Sequence, residues 1–168
     1  MTQFMEPRRY ESFEAALKSA YEEEIAGEAY FQRLADHHTG KAAQALQIMS
    51  RIETATVAAV LPVLKRHSVN PMDGVALRAA GIAEADERAL ASWHELLTDM
   101  VRRYPVYTTE FQQLVSMAPQ AERKLLSLLT FHEEALLRFA ELELQGSAES
   151  VSVLENCLKK IRQSNPGA

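Results

Sequence analysis

Residues 46–64 read LQIMSRIETATVAAVLPVL, an apolar helical stripe with an acid in it. Leu46, Met49, Ile52, Val60 and Leu64 recur at three- and four-residue steps, the spacing that gathers side chains on one face of a helix. Glu53 is seven residues after Leu46 and seven before Val60, so the same geometry turns it into the core. An isolated carboxylate there is too costly to persist; it must be protonated, paired or bound to a cation. The stretch therefore implies both a helical bundle and a partner for Glu53.

The same spacing continues outward in both directions, and sustained strict alternation is absent, which predicts an all-α domain. Breaks fall at Gly40, at Asn70-Pro71-Met72-Asp73-Gly74, at Pro119 and at Gly146. A first helix is expected from about Ser12, its N-cap, to His38, with Phe13, Leu17, Ala20, Phe31 and Ala35 on one face. A second runs from about Lys41 to His67, and the short Thr39-Gly40 link makes these two antiparallel neighbours. Residues 68–83 form a longer connection that crosses the bundle, with a short helical turn within VALRAAGIAEA. A third helix starts near Ala85 and carries Leu90, Trp93, Leu97, Met100 and Tyr104. It is kinked or broken at Pro105 and resumes with Phe111, Leu114 and Val115. A fourth spans about Gln120 to Gln145, with Leu125, Leu129, Leu136, Phe139 and Ala140 inward. A last amphipathic segment, about residues 148–161, shows Val151, Leu154, Leu158 and Ile161 at helical spacing. The expected organisation is a four-helix bundle over 12–163 with a short C-terminal fifth helix, an N-terminal arm over 1–11 and a disordered tail over 164–168.

Totals narrow the function. The chain has 168 residues, 47% hydrophobic and 24% charged, with a formal net charge of −5. No apolar run approaches the roughly 20 residues that span a bilayer, so no membrane partner is expected. The first residues, MTQFMEPRRYESF, lack the apolar core of a signal peptide, which makes the cytoplasm the expected location. Basic residues occur in short groups such as Lys65-Arg66 and Arg102-Arg103 rather than a long stripe, which argues against nucleic acid. The single cysteine, Cys157, rules out an internal disulfide and thiolate-rich zinc or iron–sulfur sites. No glycine-rich phosphate loop, nucleophile elbow or HExxH pair is present.

Each helix advances about 100° per residue, which locates the other inward polar residues. Glu24 is seven after Leu17 and seven before Phe31, and Glu28 lies one turn further on. His132, seven after Leu125 and seven before Phe139, is near the centre of the fourth helix's apolar arc, with Glu133 toward its edge and Glu134 pointing away. On the third helix, periodicity favours His94, with Glu87 also near the arc, over Glu95 and Asp99. Glu24, Glu53 and Glu133 fall near the middles of helices one, two and four, where they share a layer. Facing carboxylates repel, and a divalent metal is the simplest remedy. Two plainer outcomes compete: neutralisation by a protein cation such as Arg51, or protonation. The His37-His38 pair, at a helix C-terminus, is first of all a cap.

YEEEIAGEAYFQRLAD, RIETATVAAV and FHEEALLRFAELE resemble the ferritin-like superfamily, particularly its rubrerythrin-like members, over most of residues 12–145. The resemblance implies a ferritin-like four-helix bundle holding a di-iron or di-manganese carboxylate site, with family ligand positions matching Glu24, Glu53 and Glu133. It departs at Thr56, where the family has His, and at Leu136, three after Glu133; both Glu-x-x-ligand pairs are broken. Thr98-Asp99-Met100 and Tyr104-Pro105 resemble the family's third helix and favour Asp99, against the periodicity that favours His94, and the two remain open. On this reading Glu53 and Glu133 bridge or chelate the cations, Glu24 is terminal, and His94 or His132 supplies the nitrogen lost at Thr56. The expected function is redox chemistry or iron handling by iron or manganese. A separate electron-transfer protein is the implied partner, since a rubredoxin-type module needs four cysteines. Self-association through helix faces, as a homodimer or larger homo-oligomer, is also expected. The alternative is a degenerate bundle without metal chemistry that acts as a binding or interaction module. A third possibility, an organic-substrate oxygenase, requires a pocket beside the metals, for which Ala20, Gly27 and Ala59 could make room.

Overall fold

The structure is a computed structural model that describes residues 5–165. It is all-helical, with six helices and no strand among those residues: α1 (Phe13–Asp36), α2 (Gly40–Arg66), α3 (Gly74–Glu87), α4 (Trp93–Met117), α5 (Gln120–Leu144) and α6 (Ser150–Ser164). None is long and apolar enough to cross a membrane. Ser12 caps α1 by accepting from the Ala15 amide, and Gly40, at φ +59°, makes the tight turn into α2 that a side chain would strain. α1 packs along α2, and α4 along α5. Contacts of α2 with α5 and of α1 with α4 close the ring, α3 lies on α1, and α6 lies against α2 and α5.

Two expectations are corrected. The connection after α2 is not loop with one turn but the 14-residue α3, started by the Asp73 side chain accepting from the Val75 amide. Its inward residues are Leu77, Gly81 and Ala85, two of them too small to register as an apolar stripe. Gly81 is required there, because a Cβ would overlap the Ala26 carbonyl oxygen and lie 3.0 Å from its carbon. Secondly, α4 begins at Trp93 rather than near Ala85. Ser92 and Glu95 form a capping box, and Leu90, expected inward, is 99% exposed in the turn before it. Of the two outcomes expected at Pro105, the continuation holds: α4 runs on to Met117 with the proline on its exposed side.

The N-terminal arm is pinned from residue 8 onward. The Arg8 amide donates to Glu110 Oε1 at 2.7 Å, its guanidinium holds both Glu110 oxygens and Glu23, and the Tyr10 amide donates to Gln113 Oε1 at 2.8 Å. Of the expected tail, Ser164 ends α6, and 166–168 lie outside the described residues.

The apolar core falls into two clusters. One contains Phe31, Leu34, Leu46, Met49, Leu136 and Phe139; the other contains Phe13, Leu17, Val60, Leu64, Phe111 and Leu126. On α1, α2 and α5 alike the chain passes from one cluster to the other partway along the helix. Glu24, Glu53, His132 and Glu133 lie near that change.

Candidate functional site

Four buried titratable side chains from three helices meet in one layer. His132 of α5 is fully buried, and Glu24 of α1, Glu53 of α2 and Glu133 of α5 are each under 10% exposed. His132 Nε2 lies 3.4 Å from Glu24 Oε2, 3.5 Å from Glu133 Oε1 and 3.6 Å from Glu53 Oε2. Glu24, His132 and Glu133 each present a ligand atom within 4.8 Å of the others. Glu24 Oε2, Glu133 Oε2 and both His132 ring nitrogens are buried without a hydrogen bond; the Leu128 carbonyl one turn before His132 influences the ring without meeting hydrogen-bond geometry. Orphaned acceptors and an orphaned imidazole in one buried layer are what a cation between them would satisfy.

Sequence position explains the convergence. Helical phase turns each side chain inward, and Gly27 leaves space for the Glu53 carboxyl, whose Cδ would sit 3.4 Å from a Cβ at that position. Thr56 is buried, but its hydroxyl donates to the Ile52 carbonyl at 2.9 Å, so it turns back on its own helix. Leu136 is fully buried in the apolar cluster.

The electrostatics follow from burial. Glu24 is pushed well above the ordinary carboxylate range by burial, and then by the negative charge of Glu53 and Glu133. Burial pushes Glu133 up to about 8; His132 opposes the rise and Glu53 adds to it. Burial alone would lower His132, but Glu53 and Glu133 override it and the net shift is upward. Without a cation, then, this layer holds protons at neutral pH. Arg51 is exposed and takes no part; among the described residues, His132 is the basic group in contact with the three carboxylates.

The third-helix candidates stay out of the cluster. His94 is exposed in the first turn of α4, where it contributes its carbonyl to Thr98. Glu95 is committed to capping Ser92, and Glu87 is the exposed last residue of α3. Asp99 is held by Arg88 at 3.0 Å, by Arg103 at 3.3 Å and by Arg102. Burial works against its ionisation, but Arg88 and its neighbours hold it below the usual range. Glu28 pairs with Arg78 of α3 at 3.1 Å. His37 caps α1 and pairs with Asp86 at 3.1 Å, while His38 is lowered by burial.

Beside the site, α4 contributes Tyr104, Tyr107 and the arginine-held Asp99 to the wall of an adjoining cavity of about 290 Å³ that also touches Glu24, Glu53 and Glu133. Sequence reading missed these tyrosines because phenols on an apolar arc look like packing. Gly27 lines this cavity, whereas Ala20 and Ala59 are buried elsewhere in the core. Cys157 of α6 lies near enough to feel Glu53, yet burial first of all pushes its thiol up to about 12, so it stays protonated. Scanned against protein-family models, curated proteins and solved structures, the chain has no match.

Proposed function

We propose that the chain is a ferritin-like bundle whose Glu24, Glu53, His132 and Glu133 bind a divalent transition cation, iron or manganese, for redox chemistry or iron handling. The observation that carries this reading is the set of buried, unpartnered donor atoms on Glu24, His132 and Glu133. Three carboxylate groups and one imidazole form a hard, mixed oxygen and nitrogen donor set of the kind these ions accept, and no thiolate is available to divert a softer one. When bound, the cation supplies one-electron redox chemistry.

The chain's own groups do the rest. Glu24 and Glu133 give up their protons to the solvent as they become ligands, which couples binding to pH. His132 acts as a neutral donor once a cation replaces its proton. Apolar clusters flank the layer on either side, and the adjoining cavity gives it its approach from outside. Four donor side chains suit one cation; with Tyr104 and Tyr107 on α4 and the replacements at Thr56 and Leu136, a second would be short of ligands. The expected stoichiometry is therefore about one per chain, and a value near two would restore a di-metal centre. The test is metal content by mass spectrometry on protein purified without chelator, with Glu133→Gln as the control that removes a donor.

The degenerate-bundle reading is favoured by one observation, the commitment of Thr56 to the Ile52 carbonyl. It predicts a proton-filled layer that retains no iron or manganese after loading.

A further inference from the structure

The cavity beside the cluster has a definite chemistry of its own. At about 290 Å³ it is roughly twice the size of an engineered cavity of about 150 Å³ that takes up benzene, which leaves room for a molecule of ~10 non-hydrogen atoms. Much of its wall is apolar, including Phe31, Leu34, Leu96, Met100 and Phe111, with walls mainly from α1 and α4.

Its charged wall groups outside the cluster each have an opposite charge beside them, while Arg103 Nε, buried without a hydrogen-bond partner, remains as a spare donor for a hydroxyl or carbonyl oxygen. Glu23 is held by Arg8, Glu84 lies 3.5 Å from Arg103, and Asp99 is held by Arg88, Arg102 and Arg103. An ionic ligand would have to break one of these pairs or lie unpaired against apolar walls, and either is costly. A neutral ligand faces neither cost. The neutral polar groups on the wall are the phenols of Tyr30, Tyr104 and Tyr107, each kept protonated by burial. A phenol can donate to or accept from a hydroxyl or carbonyl group.

We propose that this cavity binds a small uncharged organic molecule, an apolar ring or chain with one hydroxyl or carbonyl group, lodged beside Glu24, Glu53 and Glu133. Calling that molecule a substrate rests on the metal reading; its binding does not.

Trp93 is the one tryptophan in the sequence and lines this cavity, so its fluorescence reports occupancy. Cyclohexanol, cyclohexylammonium and cyclohexanecarboxylate share a ring and differ in charge. Each is titrated at pH 7 into the full chain after chelator treatment. Cyclohexanol should give a saturable change in Trp93 emission, with both ions at least tenfold weaker. Leu96→Trp, which narrows the cavity, should weaken the cyclohexanol response. Tyr104→Phe keeps the wall's shape and should weaken cyclohexanol severalfold while leaving methylcyclohexane unchanged, which covers the case in which the narrowed variant does not fold. Equal or tighter binding of either ion, or no saturable change with cyclohexanol, would overturn the proposal. Repeating the titration with manganese added, and the bound metal counted, separates the two claims. Cyclohexanol binding to protein that retains no metal sinks the metal reading alone; retained metal without cyclohexanol binding sinks the ligand proposal alone.

Discussion

Replacing Glu133 by glutamine should stabilise the metal-free protein, and increasingly so as pH rises. Burial raises the Glu133 carboxyl from an ordinary 4.5 to about 8 in the folded state. A folded-state value above the unfolded one means that the native chain holds the proton more tightly. The associated stability is fully present below about pH 4.5 and is lost as pH rises through about 8. At about 1.4 kcal/mol per pH unit, the loss is on the order of 5 kcal/mol across that window. Glutamine keeps the shape and stays neutral, so its contribution does not change with pH. Urea denaturation in excess chelator at pH 5, 6, 7, 8 and 9 measures the difference directly. The two proteins should be nearly equal at pH 5, and the variant should be several kcal/mol more stable at pH 9. With manganese present the order should reverse, because only the parent keeps all its donors and gains by mass action. Parallel stability curves for parent and variant in chelator would refute the assignment of a buried, proton-holding Glu133.

Other consequences follow from the same geometry. Because burial raises the Glu24 and Glu133 carboxyls, Glu133 to about 8, manganese binding should release protons, and the proton released from Glu133 should raise manganese affinity about tenfold per pH unit below pH 8; calorimetry in buffers of different ionisation enthalpy counts the protons. Gly81→Val should cost about 3 kcal/mol or more, since its Cβ collides with the α1 backbone at Ala26, which cannot move aside as a side chain can; thermal melting checks this. Arg8→Ala leaves the buried Glu110 without its guanidinium and should cost about 1–3 kcal/mol, with faster proteolysis of the arm as the second readout.

What could be read in the sequence was whatever depends on helical phase. Seven-residue spacing to Leu17 and Phe31, to Leu46 and Val60, and to Leu125 and Phe139 turns Glu24, Glu53 and His132 inward, and their positions near the middles of α1, α2 and α5 put them at one level. Phase says little where side chains are small: α3 packs through Leu77, Gly81 and Ala85, and its role in the fold comes from close backbone approach rather than apolar bulk. Leu90 was misplaced because its spacing was continued across a turn. The Ser92-x-x-Glu95 box was the local signal that a helix starts afresh there. Glu110 is buried as deeply as Glu24 but drew no notice, since its partner Arg8 is 102 residues away and no local pattern announces such a pair. The sorting of Asp99 away from the cluster likewise depends on Arg88, which approaches it only through the turn between α3 and α4.

The central claim is that the layer at Glu24, Glu53, His132 and Glu133 is built around a cation. Its most direct test is elemental mass spectrometry of the protein purified without chelator, and again after anaerobic loading with iron or manganese and desalting, beside Glu133→Gln treated identically. About one iron or manganese per chain in the parent, with the variant well below it, is the predicted result. Less than about a tenth per chain in the parent after loading, or equal retention by the variant, would contradict the claim and leave a bundle whose core acids are held by protons alone.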